Sequence, residues 1–569
     1  MDLHSKVSCS DEETAPEFAE GDLVERSGSI QAAVSTIHAH CAVYTDPEVA
    51  RIILDRIGWS ASVDLTNRRL LEPSCGDGSF LLPAIDRLLA STSRFGKMSE
   101  QALSNAIVAF EFDESTASGL RRQLVEKLRV AGVASASAAR IAARWLRCED
   151  FLLATGLMSF TDVVGNPPYM RWSKVPAALR EAYEKQLPPY AARGDLCLAF
   201  VCRAVQLLSQ TTSRLAFVCS DRWLRCSYGS FARAEIEKNA HLAMHIAVHD
   251  APVFLGTRKV DAHAAITILE RGSETSPVMG VASSLADLKK KLLVAATPGT
   301  GRYNGGLNGT RSAVLAPPSL AAAFQQVLAT QPTLSAAGVD VRCGMALGLA
   351  EAFVIEGVSK IEKTRLIPFV RTSDLLDSGE VKATSQVVNV WEANGDLIKL
   401  SKYPNLRNHL KAYEIGLRKR ACVKSQDSWY RTIDNLNLAR VAAPKLLIAG
   451  MSKVARVSIS AGGAQHSNAL YAMTSREWPL AALFALMRAG TLDFFAAVLA
   501  PRFAGNVKRF DGNVLRQVRI PAWNSLEASL QKRLLDWDVA TDKRDAALVL
   551  DVYQLPEKQF GKAVESALI

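Results

Sequence analysis

The residues best suited to chemistry are Asn166-Pro167-Pro168-Tyr169, which follow the apolar run Asp162–Val164 and Gly165. After a strand, this tetrapeptide holds an amide at the carboxyl edge of a sheet, where doubly wound folds bind ligands. Two prolines stiffen the turn and an aromatic ring follows them. An exocyclic amine on a nucleobase such as adenine is a poor nucleophile, because its lone pair is delocalised into the ring. The Asn166 side-chain oxygen and the Pro167 main-chain carbonyl can both accept its N–H groups, which favours a more tetrahedral, more nucleophilic nitrogen in the transition state. Tyr169 would stack on the base, with Pro168 beside it, once the base is turned out of a duplex. A chance proline turn is the bland alternative, and the residues upstream weigh against it.

Upstream, Leu70 to Phe80 reads as a strand, a tight turn around Gly76-Asp77-Gly78 and a helix start, a cradle for a nucleotide-like ligand. Its candidate contacts are Glu72, Cys75, Gly76 and Gly78. The third glycine of a dinucleotide fingerprint is missing, which disfavours NAD. Phe110-Glu111-Phe112-Asp113 puts the acid Glu111 at the end of the next strand, a place that commonly binds ribose hydroxyls. Asp150-Phe151 offers a carboxylate and a ring suited to an adenine amino group and its face. Any one of these acids alone would be read as a solvated strand end. Their order ahead of Asn166 argues otherwise.

In this order the run resembles the γ-class N6-adenine DNA methyltransferases, the Taq-type restriction-modification methylase family, over roughly residues 42–270. Val43-Tyr44-Thr45-Asp46-Pro47 looks like the family's N-terminal cofactor motif, which adds Thr45 to the cofactor contacts. The resemblance implies S-adenosylmethionine as cofactor, Glu72 to Gly78 as its loop, Glu111 as its ribose ligand, and Asp150 and Phe151 against its adenine. It implies Asn166, Pro167 and Tyr169 as the catalytic residues. Ser220-Asp221-Arg222-Trp223-Leu224 resembles a later strand-end motif, with Asp221 where the family often has proline. Val253 to Val260 resembles the segment whose phenylalanine packs on the flipped adenine, so Phe254 joins the base pocket and Lys259 meets backbone phosphate. The implied activity is site-specific methylation of double-stranded DNA by the modification component of a type II-like restriction-modification system. A cognate endonuclease, where one exists, is expected as a separate chain. A methyltransferase for a protein glutamine or an RNA adenine, using the same Asn-Pro-Pro-Tyr chemistry, is the alternative; such enzymes are usually much shorter and lack a basic appendage. A non-catalytic DNA-binding protein on a decayed fold is disfavoured by intact Glu72, Asp150, Asn166 and Tyr169.

These residues need a framework. Helical and strand signals alternate from Tyr44 to about residue 270, the pattern of a parallel sheet with helices on both faces. Asp46-Pro47-Glu48 opens a helix, with proline in the first turn and acids near the positive end of the dipole. Strands are expected over 69–72, 107–110, 161–164, 214–218 and 264–269. The fold class is α/β: a doubly wound, Rossmann-like class I methyltransferase domain followed by a mixed α/β target-recognition domain. The expected divisions are a flexible tail over 1–40, the methyltransferase domain over 41–270, a connecting region over 271–330 and a DNA-binding domain over 331–569, which ends in a helical segment near 525–550.

Of the net charge of +10, residues 301–569 carry +11 and residues 1–300 carry −1. A basic module of this kind commonly meets nucleic acid, because neutralising phosphates releases counterions. Arg418, Arg420, Arg431, Lys508 and Arg509, interleaved with aromatic residues, are the candidate DNA contacts. His241, His245 and His249 share a helical spacing, but they lie in an alternating, strand-like stretch that gives no metal-ligand geometry. His38, His40 and Cys41 lack a second ligand pair, so no metal is expected. No secretory signal and no apolar run of membrane-spanning length is read in the sequence, and the expectation is a cytoplasmic, nucleoid-associated monomer with reduced thiols.

Overall fold

The computed structural model describes residues 30–41, 43–248, 251–255, 264–272, 277–293, 306–307, 309, 312–500, 502–503, 507–537 and 544–568. In chain order, α1 (Ile30–Cys41) and α2 (Pro47–Arg56) precede β1 (Leu70–Glu72). Helices α3 (Leu81–Arg94) and α4 (Glu100–Ala106) lead to β2 (Ile107–Phe110), and α5 (Glu114–Val130) and α6 (Ser135–Trp145) lead to β3 (Leu146–Arg147). Then come β4 (Asp162–Gly165), α7 (Ala177–Gln186), α8 (Leu196–Gln206), β5 (Ser213–Ser220), α9 (Arg222–Arg225) and α10 (Ser230–Glu237). Strands β6 (His241–Ala247), β7 (Ala264–Arg271) and β8 (Val278–Val281) follow, then α11 (Leu285–Leu292) and α12 (Pro318–Thr330).

The strands form one sheet in the order β3-β2-β1-β4-β5-β7-β6-β8. Strands β1 to β5 are mutually parallel. Strand β7 runs antiparallel to β5 and to β6, and β8 lies parallel to β6. The parallel strands are buried on both faces, which is why they read as unbroken apolar runs. Leu70, Val164 and Ala216 pack into the core on one face; Leu71, Val163 and Leu215 pack into the other. The chain leaves β1 towards β2 on one side and reaches β4 on the other. The crevice of a doubly wound sheet opens at such a switch point, beyond the carboxyl ends of the strands. Here those ends carry Glu72 and Asn166.

Asp46 caps α2 as its sequence predicts, accepting the Glu48 N–H at 2.7 Å. Other expectations change. Residues 30–41 are not tail but the helix α1, held by buried Ala33 and Ile37. The span expected to connect the two domains divides between their cores. Strand β8 extends the sheet and α11 buries Leu288 and Leu292 against the α2 face, whereas α12 packs into the C-terminal core.

The C-terminal part is mixed α/β, with two four-stranded sheets and one three-stranded sheet among the described residues. Its central helix, Leu480–Leu499, is long and apolar enough to cross a membrane, contrary to the expectation that no such run exists; from Ala482 onwards every residue of it is buried inside the protein. Arg488 and Asp493 interrupt the apolar run. Gly490 takes φ of 129° where the helix bends, and a Cβ there would meet Leu568 Cδ2 at 2.5 Å. The final helices are Ala528–Leu535, Ala546–Tyr553 and Glu557–Leu568, so the helical end runs beyond residue 550.

Candidate cofactor and target-base site

A cleft of about 830 Å³, partly open to solvent, lies over the switch point. Thr45, Glu72, Cys75, Gly76, Glu111, Asp150, Phe151, Asn166 and Pro168 all line it, so residues spread over more than a hundred positions of chain converge there.

The glycine turn forms because its backbone needs left-handed conformations: φ is 53° at Gly76 and 90° at Gly78. A Cβ on Gly78 would meet Leu120 Cδ1 at 2.8 Å, so the turn packs directly on α5 from below the cleft. Glu111 braces the turn. Its two oxygens accept the N–H groups of Gly76 and Asp113, each at 2.9 Å. Burial raises the Glu111 carboxyl above its ordinary range. Asp150 accepts from the Tyr183 hydroxyl at 2.6 Å and the Leu152 N–H at 2.8 Å, and burial likewise pushes it up. Phe151 meets Phe110 edge to face, with ring centroids 5.4 Å apart.

Glu72 is 1% exposed and its Oε2 has no protein hydrogen-bond partner. Burial, then the charges of Asp77 and Glu111, push its carboxyl well above the ordinary range. Thr45 is 2% exposed and its Oγ1 is also unpaired. Buried polar groups normally find partners; these two, facing one cleft, fit a polar ligand.

Asn166 sits where β4 ends. Its Nδ2 donates to the Val43 carbonyl at 2.9 Å, and its buried Oδ1 has no protein partner. That bond fixes the amide so that the oxygen remains as the free acceptor. The Asn166 carbonyl accepts from Ser74 Oγ at 3.0 Å, which ties the loop to the glycine turn. Pro167 is buried behind the loop. The Tyr169 hydroxyl donates to the Val218 carbonyl at 3.0 Å, and burial holds the phenol well above its ordinary range. It therefore positions its ring and supplies no base. Phe254 stands nearly perpendicular to that ring, at 86° with centroids 6.0 Å apart. Pairing of Thr45 with Phe254 brings it there.

Residues 95–254 match the Eco57I restriction-modification methylase family. The chain is 33% identical over 523 residues to the type II methyltransferase M.PaeR7I of Pseudomonas aeruginosa, across 90% of each chain. It is 31% identical over 522 residues to the type II methyltransferase M.XhoI of Xanthomonas vasicola, across 89% of this chain and 95% of that one. This chain belongs to the type II methyltransferases. It is the modification component of a restriction-modification system, with S-adenosylmethionine as methyl donor. The fold also matches the type IIL restriction-modification enzyme MmeI, solved in complex with DNA, at a TM-score of 0.57 and 13% identity over 95% of this chain and 75% of that one.

The unpaired Oγ1 of Thr45 and Oε2 of Glu72, with the rings of Phe110 and Phe151, suit the methyltransferase's cofactor, which carries hydroxyls, charged groups and an adenine. Tyr44, quoted within the N-terminal motif but given no role by it, has its ring 3.0 Å from where a Gly76 Cβ would stand. Sequence reading missed Tyr183 on α7, the partner of Asp150, and the α1 residues Ile37, His38 and Cys41 that close one side of the cleft. A helical apolar spacing of Ile30, Ala33, Ile37 and Cys41 was the available signal for α1. Asp221, which stands in place of the family's frequent proline, is buried and bonds Arg225 Nε at 3.1 Å. Arg225 Nη1 in turn donates to the Ala500 carbonyl at 3.0 Å, linking the methyltransferase sheet to the C-terminal part.

Two expected DNA contacts are corrected. Lys508 is 2% exposed and faces buried Asp493, so it is an internal charge. Arg420 donates to the carbonyls of Leu347, Leu417, Trp429 and Arg431, which makes it a strut between loops. Arg418 pairs with Glu414 and lies over Trp429, Arg431 lies over Trp391, and half-buried Arg509 pairs with Asp511. Lys259 falls outside the described residues. His245 lies on β6, with Nδ1 3.4 Å from Thr267 Oγ1, as a strand residue rather than a helical ligand.

Proposed function

We propose that this methyltransferase transfers the methyl group to N6 of an adenine turned out of double-stranded DNA. The observation that carries the reading is the Asn166 amide. With Nδ2 held by Val43, its buried Oδ1 has no partner in the protein and is left as a free acceptor for a hydrogen-bond donor. An exocyclic amine is such a donor. Accepting its N–H withdraws the nitrogen lone pair from conjugation, and the Pro167 carbonyl takes the second N–H. Tyr169 and Phe254 stand at right angles, so one ring would stack on the base while the other closes its edge. When bound, the cofactor would supply an electrophilic sulfonium methyl for exchange against an N6 proton, which would leave to solvent.

Glu72, Cys75, Gly76, Gly78, Thr45, Glu111, Asp150 and Phe151 are assigned to the cofactor, with Glu111 towards the ribose and Asp150 and Phe151 towards the adenine. The part from residue 331 onwards reads the target sequence. Arg418, Arg431 and Arg509 are retained as DNA contacts, and a cognate endonuclease would be a separate chain. MmeI, a fold neighbour, was solved on DNA, which supports DNA as the substrate.

Transfer of labelled methyl to unmethylated plasmid DNA, followed by nucleoside mass spectrometry, tests this. N6-methyladenine is the expected product. N4-methylcytosine would refute the choice of base, and label on protein or RNA would favour the glutamine or RNA alternative.

A further inference from the structure

Helix α1 has no part in the roles assigned so far. It packs on α7, and its last turn places Ile37, His38 and Cys41 on the wall of the cleft. The two sides of this turn touch different machinery. On one side, His38 shares the cleft wall with Glu111 and Phe112. On the other, Cys41 Sγ donates to the Tyr169 carbonyl at 3.4 Å. Beyond Cys41, the chain reaches Val43, whose carbonyl holds Asn166.

Glu111 has both oxygens already engaged by backbone N–H groups. A ribose hydroxyl that approaches it gains from a second polar partner on the same side, and half-buried His38 is the α1 side chain placed there. We infer that α1 is a cofactor-gripping wall: His38 is a binding residue for the ribose of S-adenosylmethionine, and Cys41 is a positioning residue that couples this wall to the backbone of Tyr169. The inference rests on the cleft being the cofactor pocket. Its consequence is that filling the pocket and fixing the loop after Asn166 are one event.

The test uses the full chain and S-adenosylhomocysteine as probe, with calorimetry on the wild type, His38→Ala, Cys41→Ala and Asp150→Ala. Loss of the His38 contact should weaken binding about tenfold, the effect of one hydrogen bond. Cys41→Ala should keep affinity within about twofold and lower kcat with KM for DNA unchanged, and Cys41→Ser, which restores a donor, should recover kcat. Amide exchange over residues 33–41 should slow when the probe binds. Wild-type affinity in His38→Ala, exchange indifferent to the probe, or a Cys41→Ser variant no better than Cys41→Ala would each overturn the proposal. Weakened binding in Asp150→Ala alone would leave the pocket reading intact and refute only the role of α1. Unchanged binding in Asp150→Ala as well would refute the pocket reading itself.

Discussion

Replacing Glu72 by glutamine is expected to stabilise the cofactor-free protein and to weaken its grip on the cofactor. Burial raises this carboxyl well above its ordinary value, and Oε2 has no partner in the protein. A folded-state value above the unfolded one means that the folded protein keeps its proton where the unfolded chain has lost it. The stability from this group is therefore full below the unfolded value and is lost as pH rises through the folded one. At neutral pH the glutamate is a net cost to the empty protein. Glutamine keeps the shape and cannot ionise. Holding a buried, unpaired carboxyl in its charged form costs at least about 1–3 kcal/mol, and at about 2–4 °C per kcal/mol for a domain of this size the cofactor-free Tm should rise by roughly 2–12 °C. In the complex the sign reverses. A hydrogen bond to a charged group contributes about 1.5–3 kcal/mol, so affinity for S-adenosylhomocysteine should fall about 10- to 150-fold. Thermal melts with and without saturating S-adenosylhomocysteine show both effects. The variant should melt above the wild type when empty and gain less on binding, because ligand stabilisation grows with the logarithm of ligand concentration over Kd. A variant that melts below the empty wild type, or binds as tightly, would refute the reasoning.

Asn166→Ala should bind S-adenosylhomocysteine nearly as the wild type does and lose about a hundredfold or more in single-turnover methyl transfer, the usual effect of removing a preorganised polar group. Lys508→Ala should cost about 3 kcal/mol in chemical denaturation, because it strips a buried partner from Asp493. Arg509→Ala should cost under about 1 kcal/mol in stability and should reduce the salt dependence of DNA affinity. His466 is held at about 4, against an ordinary 6.5, first by burial and then by Lys445. Its stabilising contribution is present above 6.5 and is lost as pH falls through the folded value, so the wild type should lose about 3 kcal/mol more than His466→Gln over that window.

Legibility followed burial. Strands β1, β2, β4, β5 and β7 are apolar on both faces and announced themselves as runs. Strand β3 is two residues long and follows α6 with no turn between, and the half-buried β8 is only four residues long. Cations were the least legible residues, because sequence states a charge and not its surroundings. Val507-Lys508-Arg509 is a strand, and alternation along it sends Lys508 inward and its neighbours outward. Leu480–Leu499 does not read as an unbroken apolar run, because Arg488 and Asp493 interrupt it. Inside the core their charges meet partners: Asp493 lies between Lys508 and Arg544, and Arg488 donates to the carbonyls of Val457 and Asp377.

The site motifs were legible one by one, and what joins them was not. A short segment, Val43 to Asp46, does most of the joining. Its Val43 carbonyl orients Asn166, Tyr44 packs over Gly76, Thr45 offers an unpaired hydroxyl to the cleft, and Asp46 caps α2. Its backbone pairs with residues 253–255: the Asp46 N–H donates to Val253 at 2.9 Å and the Leu255 N–H to Tyr44 at 2.9 Å. Phe254 is thereby set opposite Tyr169. Such bonds are made by backbone atoms that every residue carries, so residue types give no sign of them. Geometry at the base corner and geometry at the cofactor cleft therefore depend on the same four residues. A proline at Leu255, which removes one of those two donors, should disturb the base corner and the cofactor cleft together, whereas independent sites would lose only one.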